Sequence, residues 1–290
     1  VHDRSAASRH AGRVYLVLAL AGEMLILSGL LLAVGAHPLA VACLILGFGV
    51  KTGLPLLHVS LPLAYAAIPI PGAAVLAGAM IKAGLLGWLR FLPLGEAALP
   101  DAGTAMLLAG LLAIFFGSVI GLTQRQPGAL LAYSSISQMG YLAVAVAAGL
   151  LAPGLWPLLL PAVILYAVHH ALAKSALFLG LGVLQRRGAT PGVLLGMALP
   201  ALALAGAPLT SGMLGLKLVL QALPAPWADL LPLLLVVGAL GTALLMLRLL
   251  WLLQRQSAQP DASSRGLMAP WLLTLLGVTG LAAWLAPAAS

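Results

Sequence analysis

Long apolar segments follow one another along almost the whole chain, and the charged residues fall mainly in the short stretches between them. Most segments reach the roughly 20 residues that a helix needs to cross the hydrocarbon core of a bilayer. Because a spanning segment must satisfy its backbone hydrogen bonds internally, continuous apolar runs of this length predict helices. With proline, glycine and charge taken as boundaries, we predict nine transmembrane helices, at residues 14–34, 39–62, 71–91, 103–122, 129–150, 156–184, 192–222, 230–253 and 268–287.

The composition indicates the same class, an all-α polytopic membrane protein. Of the 290 residues, 62% are hydrophobic and 7% are charged, whereas about a quarter of the residues of a soluble domain are charged. The mean hydropathy is +1.13. A soluble fold is therefore excluded, and the fourteen basic residues are too dispersed to form a nucleic-acid-binding patch. The single cysteine, Cys43, excludes a disulfide framework, an iron–sulfur site and a cysteine-ligated zinc site.

The arginines predict the orientation of the chain. If the N-terminus is cytoplasmic, Arg90 is the one arginine at an outer boundary, and Arg248 lies near the inner end of its span. This satisfies the positive-inside rule and predicts a bacterial inner (cell) membrane protein with a basic cytoplasmic tail at 1–13, a membrane domain at 14–288 and an external C-terminus. The inner loops then hold Arg4, Arg9, Arg13, Arg125, Arg186, Arg187, Arg255 and Arg265.

The lysines lie in the opposite kind of place, because all four are inside predicted spans. A lysine at the centre of a span costs about 2.5–3.5 kcal/mol on insertion scales. Desolvated lysine can release its proton, whereas arginine stays charged, so the set predicts proton carriers. The alternative is that each lysine neutralises a buried carboxylate, but Glu23 is the one acid within a span. The lysines are Lys51, Lys82, Lys174 and Lys217.

Two histidines have positions that suit a proton relay. His170 precedes Lys174 by one helical turn, so the two share a helix face, and His58 follows the break expected at Pro55. Imidazole gains and loses a proton near neutral pH. A merely hydrogen-bonded histidine remains the alternative at each position. A metal site is disfavoured, because no carboxylate or cysteine lies at ligand spacing.

Helix breakers interrupt two of the segments. One break is expected around Pro55, close to Lys51, and the other around Pro208 and Gly212, close to Lys217. Irregular backbone at membrane depth is tolerated where it is buried in protein or lines a wet cavity, and broken helices mark ion sites in transporters. Each break is therefore predicted to lie at the proton path, with a simple proline kink as the alternative.

Five ordered motifs resemble those of a known family, the antiporter-like proton-channel subunits. These subunits occur in respiratory complex I, membrane-bound hydrogenases and Mrp-type cation/proton antiporters. The motifs are VKTGLPLLH at 50–58 continuing to LPLAY at 61–65, LAGAMIKAG at 76–84, LAYSSISQMG at 131–140, HHALAKSALFL at 169–179, and GAPLTSG at 206–212 followed by Lys217.

The resemblance implies a fourteen-helix fold in which two inverted five-helix repeats each supply a broken helix. It places the central chain of proton carriers on a set of four lysines and one histidine. By motif order, the first span corresponds to the family's sixth helix, so the fifth-helix glutamate that partners the first lysine is not in this chain. We expect another membrane subunit to supply the preceding helices and an acid; the alternative is that Glu23 has become the acidic partner. The implied carriers are Lys51, Lys82, His170, Lys174 and Lys217.

The leading functional prediction is a proton-translocating membrane subunit of a complex I-like or Mrp-like assembly. Any redox chemistry, of the NADH:quinone oxidoreductase or hydrogenase type, would reside in partner subunits, so we expect no catalytic centre, metal or cofactor in this chain. Three alternatives stay open: a cation/proton antiporter subunit, a membrane subunit of a proton-coupled inorganic-carbon uptake system, and a non-conducting assembly scaffold.

Overall fold

The computed structural model describes residues 5–34, 37–207, 210, 212, 230–256 and 266–289, and over these residues the chain is almost entirely helical. A π-helix at Leu76–Met80 joins α4 to α5, and one 3₁₀ turn at Pro153–Leu155 precedes α8. The α-helices are α1 (Ala6–Val34), α2 (Leu39–Thr52), α3 (Ser60–Ala67), α4 (Ile70–Val75), α5 (Lys82–Phe91), α6 (Pro100–Thr123), α7 (Pro127–Leu151), α8 (Trp156–Arg187), α9 (Pro191–Leu204), α10 (Leu230–Gln254) and α11 (Met268–Ala289).

The all-α membrane prediction is confirmed. Six helical stretches of the described chain are long and apolar enough to cross a membrane, and α2, α9 and α11 are shorter apolar helices. Each overlaps one of the nine predicted segments. The first span is longer than predicted, since α1 already begins at Ala6 and takes in most of the stretch assigned to the basic tail.

The second predicted segment is interrupted close to Pro55. Helix α2 ends at Thr52, and Gly53 adopts the left-handed conformation with φ +74° while its N–H donates to the Gly49 carbonyl at 2.9 Å. Glycine suits this position because the left-handed region carries no steric cost for it. The backbone stays non-helical until α3 begins at Ser60. The second predicted span therefore contains a stretch of irregular backbone next to Lys51.

The seventh segment also stops part-way. Helix α9 ends at Leu204, and Gly206 (φ +71°) closes it, with the Ala207 N–H donating to the Leu202 carbonyl at 3.0 Å. This is the six-to-one bond of a Schellman motif. Gly212 is described and buried, whereas two residues named for this break, Pro208 and Lys217, lie outside the described residues.

Helices α7 and α8 form the centre of the bundle. Nearly every residue of α7 from Leu130 to Leu150 is buried, and α6 packs along it at very short range. At Gly117 a Cβ would come within 2.7 Å of the Tyr133 carbonyl and the Ser137 N–H nitrogen, so a small residue is required for this approach. Helix α1 lies at the periphery and leaves a face of leucine, valine and methionine exposed.

The Arg248 side chain binds the C-terminal end of α6. Its Nε and Nη2 donate to the Gln124 carbonyl at 3.1 and 3.0 Å, where α6 has just ended. A cation favours a helix C-terminus, so this contact ties α10 to the end of α6 instead of leaving Arg248 to extend to the lipid headgroups.

Candidate functional site

Lys174 lies at the interface of α8 and α7 and is completely buried. Its Nζ donates to the Leu131 carbonyl at 2.8 Å and to the Ser134 hydroxyl. The hydroxyls of Ser134 and Ser135 each donate to the same carbonyl at 3.1 Å. Carbonyl and hydroxyl oxygens are neutral and can accept from an amine or from an ammonium group, so this site can hold Lys174 with or without its extra proton.

His170 occupies the next turn of α8 and is also completely buried. Neither its Nδ1 nor its Nε2 has a hydrogen-bond partner among the described residues. Buried polar atoms are normally paired, either with protein or with ordered water. An imidazole with two unassigned nitrogens next to Lys174 is therefore a place where a water molecule or a transient proton can bind.

His169 faces the second broken segment. Its ring centroid lies 5.9 Å from that of Tyr166, and a Cβ added to Gly212 would come within 3.0 Å of its Nε2. No role for His169 is predicted from the sequence. The structure places it against the backbone of one of the predicted helix breaks.

Lys82 lies where the π-helix meets α5. Its Nζ donates to the Ala77 carbonyl at 2.6 Å, and the wide turn is closed by the bond from the Ile81 N–H to the Leu76 carbonyl at 3.1 Å. Single π-turns occur frequently at functional sites. Lys82 lines a cavity of about 510 Å³ together with Ala167 and Ala171 of α8, the helix that also carries His170 and Lys174. We refer to these three residues of the predicted set as the Lys82–His170–Lys174 group.

Lys51 forms an ion pair with Glu23, with 2.5 Å between Nζ and Oε1. The pair forms because α1 and α2 touch: a Cβ on Gly47 would come within 2.9 Å of the Gly22 carbonyl. Glu23, one of the two sources considered for an acid, is therefore the carboxylate that lies beside Lys51 in this structure. Lys51 also lines a cavity of about 150 Å³ together with Ser60.

His58 lies apart from the Lys82–His170–Lys174 group. It belongs to the irregular connection between α2 and α3, where its ring packs edge-on against Phe116 at 4.7 Å and lies 6.2 Å from the ring of Tyr133. Its Nδ1 is buried without a hydrogen-bond partner in the described chain. The contacts of the described residues therefore place His58 at the first break but do not join it to the lysines.

A buried hydrogen-bond network lies beside this site, and the sequence alone did not predict it. The Tyr166 hydroxyl donates to Gln138 Oε1 at 2.7 Å, and Gln138 Nε2 donates to the Thr242 hydroxyl at 3.1 Å. Tyr166 lies one turn before His170, so its spacing was the signal that could have found it. No group of three His, Cys, Asp or Glu residues in the described ranges could hold a metal ion.

Apolar helices, a broken second span and a completely buried Lys174 are the features expected of an antiporter-like membrane subunit. A family model supports this assignment directly: residues 23–244 match the family described as NADH:quinone oxidoreductase/Mrp antiporter, TM. The chain belongs to this family.

Curated relatives match in part. A Staphylococcus haemolyticus protein named as an antiporter subunit, mnhA2, is 33% identical over 135 residues, covering 39% of this chain and 17% of that protein. An uncharacterized protein of Methanocaldococcus jannaschii is 31% identical over 156 residues, covering 50% of this chain and 31% of that protein. The matched segments thus represent less than a third of these relatives' lengths.

Solved structures share the fold. A chain of the Mrp complex from a Dietzia species superposes with a TM-score of 0.80 at 20% identity, covering 97% of this chain and 66% of that one. A chain of the membrane-bound sulfane sulfur reductase, an archaeal respiratory membrane complex, gives a TM-score of 0.75 at 24% identity, covering 93% of this chain and 52% of that one.

Proposed function

We propose that this chain translocates protons across the membrane as one subunit of a larger complex, and that the buried lysines carry them. The observation that supports this most strongly is the setting of Lys174. It is completely buried, it contacts neutral oxygens alone among the described residues, and His170 lies one turn away with both ring nitrogens unpaired. A scaffold gains nothing from such an arrangement, which is costly in a membrane.

The proposed relay has three parts. Lys51, paired with Glu23, stands at the first broken helix; Lys82 and Lys174 with His170 form the central group; and Lys217 follows the second break. His58, in the irregular connection between Pro55 and α3, stands beside the first break in this proposal. Each transfer requires that a lysine alternate between amine and ammonium.

Substitution of Lys174 in the assembled complex, reconstituted in liposomes, tests the proposal. Lys174→Ala should abolish coupled proton movement while insertion and assembly are kept, and Lys174→Arg should fail as well, because arginine does not release its proton. Ser175→Ala is the matched control, since Ser175 is the next residue and its hydroxyl bonds to Ala74. Full transport by Lys174→Arg would refute the relay and leave a purely electrostatic role.

A cation/proton antiporter subunit is the second candidate, because the name of a curated relative describes an antiporter subunit. Sodium-stimulated transport that depends on Lys174 would favour it over a redox-driven pump. If alanine at all four lysines leaves the activity of the parent complex intact, the chain is a scaffold. A soluble zinc-containing partner would instead indicate inorganic-carbon uptake.

We further propose that other membrane subunits cover the side of the bundle formed by α1. The side chains of Lys51 and Glu23 are 32% and 52% exposed, and an ion pair at this depth is poorly solvated by lipid tails. The solved structures of this fold come from multisubunit assemblies. Crosslinking from α1, followed by mass spectrometry of the co-purified subunits, tests this proposal.

The orientation is a separate proposal: the arginine distribution favours a cytoplasmic N-terminus in a bacterial inner membrane.

A further inference from the structure

A cavity of about 210 Å³ opens at the end of the bundle where α7 begins and α8 ends. Three glutamine side chains line it, and each glutamine is the sequence neighbour of an arginine. The pairs are Arg125 with Gln126, Gln185 with Arg186, and Arg255 with Gln256. The volume accommodates several water molecules, and carboxamides supply the two or more polar partners that a bound water needs.

We call this cavity the vestibule. Tyr65 and Phe178 close its inner end. Their ring centroids are 5.0 Å apart, and the two residues are 4% and 1% exposed. Both line the vestibule, and Phe178 lies one helical turn beyond Lys174. The aromatic pair therefore lies between the vestibule and the buried Lys174.

Two helices lead from the vestibule to Lys174. On α8, Gln185, Phe178 and Lys174 lie on one face, and the rise from Gln185 to Lys174 is about 16 Å. On α7, Gly128 lines the vestibule, and Ser135 follows it by two turns. Helix α3, which carries Tyr65, packs against α7, which carries Ser135, and the buried Tyr65 hydroxyl has no hydrogen-bond partner among the described residues. The Ser135 hydroxyl donates to the carbonyl that also accepts from Lys174.

We propose that this vestibule is the route by which protons reach Lys174 from the arginine-rich end, and that the Tyr65 hydroxyl is the residue that passes them inward. This inference rests on the proposed function. A hydronium ion in the vestibule gives a proton to the Tyr65 oxygen and is left as water, while the Tyr65 hydroxyl passes its own proton towards Ser135 through a bridging water. The serine hydroxyl repeats the exchange, directly or through one bridging water, and the Lys174 amine becomes ammonium. Tyrosine and serine end neutral, and one proton has moved.

The packing of the aromatic rings gives the step a second property. Phe178 packs against Tyr65 with ring centroids 5.0 Å apart, so we expect transfer to depend on the hydroxyl rather than on a continuous column of water. Removal of the hydroxyl with retention of the ring should therefore interrupt transfer without opening a leak.

The central test uses Tyr65→Phe in the assembled complex in liposomes. We expect proton flux to fall by about 100-fold, the lower end of the usual contribution of one positioned proton-transfer group. Tyr141→Phe is the matched control and should keep its flux, because the Tyr141 hydroxyl is buried elsewhere and donates to the Leu235 carbonyl at 3.0 Å. Unchanged flux in Tyr65→Phe would overturn the inference.

A plug in the opposite wall tests the route without altering Tyr65. A Cβ on Gly128 meets just the Tyr65 carbonyl oxygen, at 3.7 Å, so Gly128→Ala should be tolerated and keep its flux, whereas Gly128→Leu should fill the vestibule and reduce flux severalfold. Equal flux in the two variants would exclude the vestibule as the route.

Thiol labelling gives a readout that does not depend on transport. With Cys43→Ala to remove the native thiol, Gln185→Cys should react with a membrane-impermeant reagent from one side of the membrane, equally with Tyr65 or Phe at position 65. Protection of this cysteine from both sides would refute a wet vestibule. If Lys174→Ala also keeps full flux, the proposed function itself fails; if Lys174→Ala abolishes flux and Tyr65→Phe does not, the vestibule inference alone fails.

Discussion

Glu23 and Lys51 lie 2.5 Å apart although they belong to different helices and are separated by 28 positions in the chain. The contact depends on the close approach of α1 and α2 at Gly22 and Gly47. An acid on the first helix of this chain thus meets the lysine of the broken helix, and the two opposite charges are paired on the side of the bundle formed by α1.

Removal of one charge of the Glu23–Lys51 pair should lower the stability of the protein more than removal of both charges. Glu23→Gln leaves Lys51 without its counter-charge, so we expect reduced assembly and reduced transport. In Glu23→Gln/Lys51→Gln no uncompensated charge remains, so assembly should recover while transport stays low. A double-mutant cycle measured by thermal unfolding in detergent isolates the pair term. Additive effects of the two substitutions would show that the contact carries no energy.

The Ser134 hydroxyl should contribute to transport more than its neighbours on α7. Ser134→Ala removes one of the two oxygens that contact Lys174 and leaves the Leu131 carbonyl in place, so we expect a severalfold loss of proton flux. Ser137→Ala is the matched control, because its hydroxyl bonds to the Ile114 carbonyl at 3.0 Å instead. Comparable flux in the two variants would contradict a specific role for Ser134.

His170 should show opposite effects on stability and on transport. A buried imidazole with two unpaired nitrogens costs free energy that an apolar side chain does not. We therefore expect His170→Leu to unfold at the same or a higher temperature, yet to lose proton flux by about 100-fold or more if the ring relays protons. Flux equal to that of the unmodified complex would remove His170 from the relay.

Gly47 should be intolerant of even one added carbon. A Cβ at this position meets Ile26 and the Gly22 carbonyl, and overpacking of this kind costs about 1–3 kcal/mol. We expect Gly47→Ala to lower the unfolding temperature and to weaken the Glu23–Lys51 contact. Gly192→Ala is the control, since nothing lies within 4 Å of its added Cβ. Similar unfolding temperatures for both variants would show that α1 and α2 can move apart without cost.

The sequence was sufficient for features that depend on local pattern. Apolar length and the positions of proline and charge predict the spans, and Gly53 with Pro55 predicts the end of α2. The spacing of His170 and Lys174 places them on one face of α8. These features depend on residues within one or two helical turns of each other, which is the range over which a pattern in a single sequence is informative.

Features that depend on packing between distant segments were not predictable in the same way. The Glu23–Lys51 contact requires two glycines on different helices to face each other, and the hydrogen-bond network from Tyr166 through Gln138 to Thr242 joins three helices. A glutamine, a tyrosine or a glycine in an apolar run is common, so none of these residues is informative until its neighbours in space are known.

The π-helix at Leu76–Met80 has a consequence for the evolution and engineering of this span. One surplus residue in a helical turn rotates everything after it by about 100° relative to an uninterrupted α-helix. The half that precedes the wide turn and the half that begins with Lys82 are therefore out of phase: α4 packs against α8, whereas α5 packs mainly against α2. Deletion of a single residue within Leu76–Met80 would restore regular winding, leave the length almost unchanged, and turn Lys82 away from the lysine and histidines of α8.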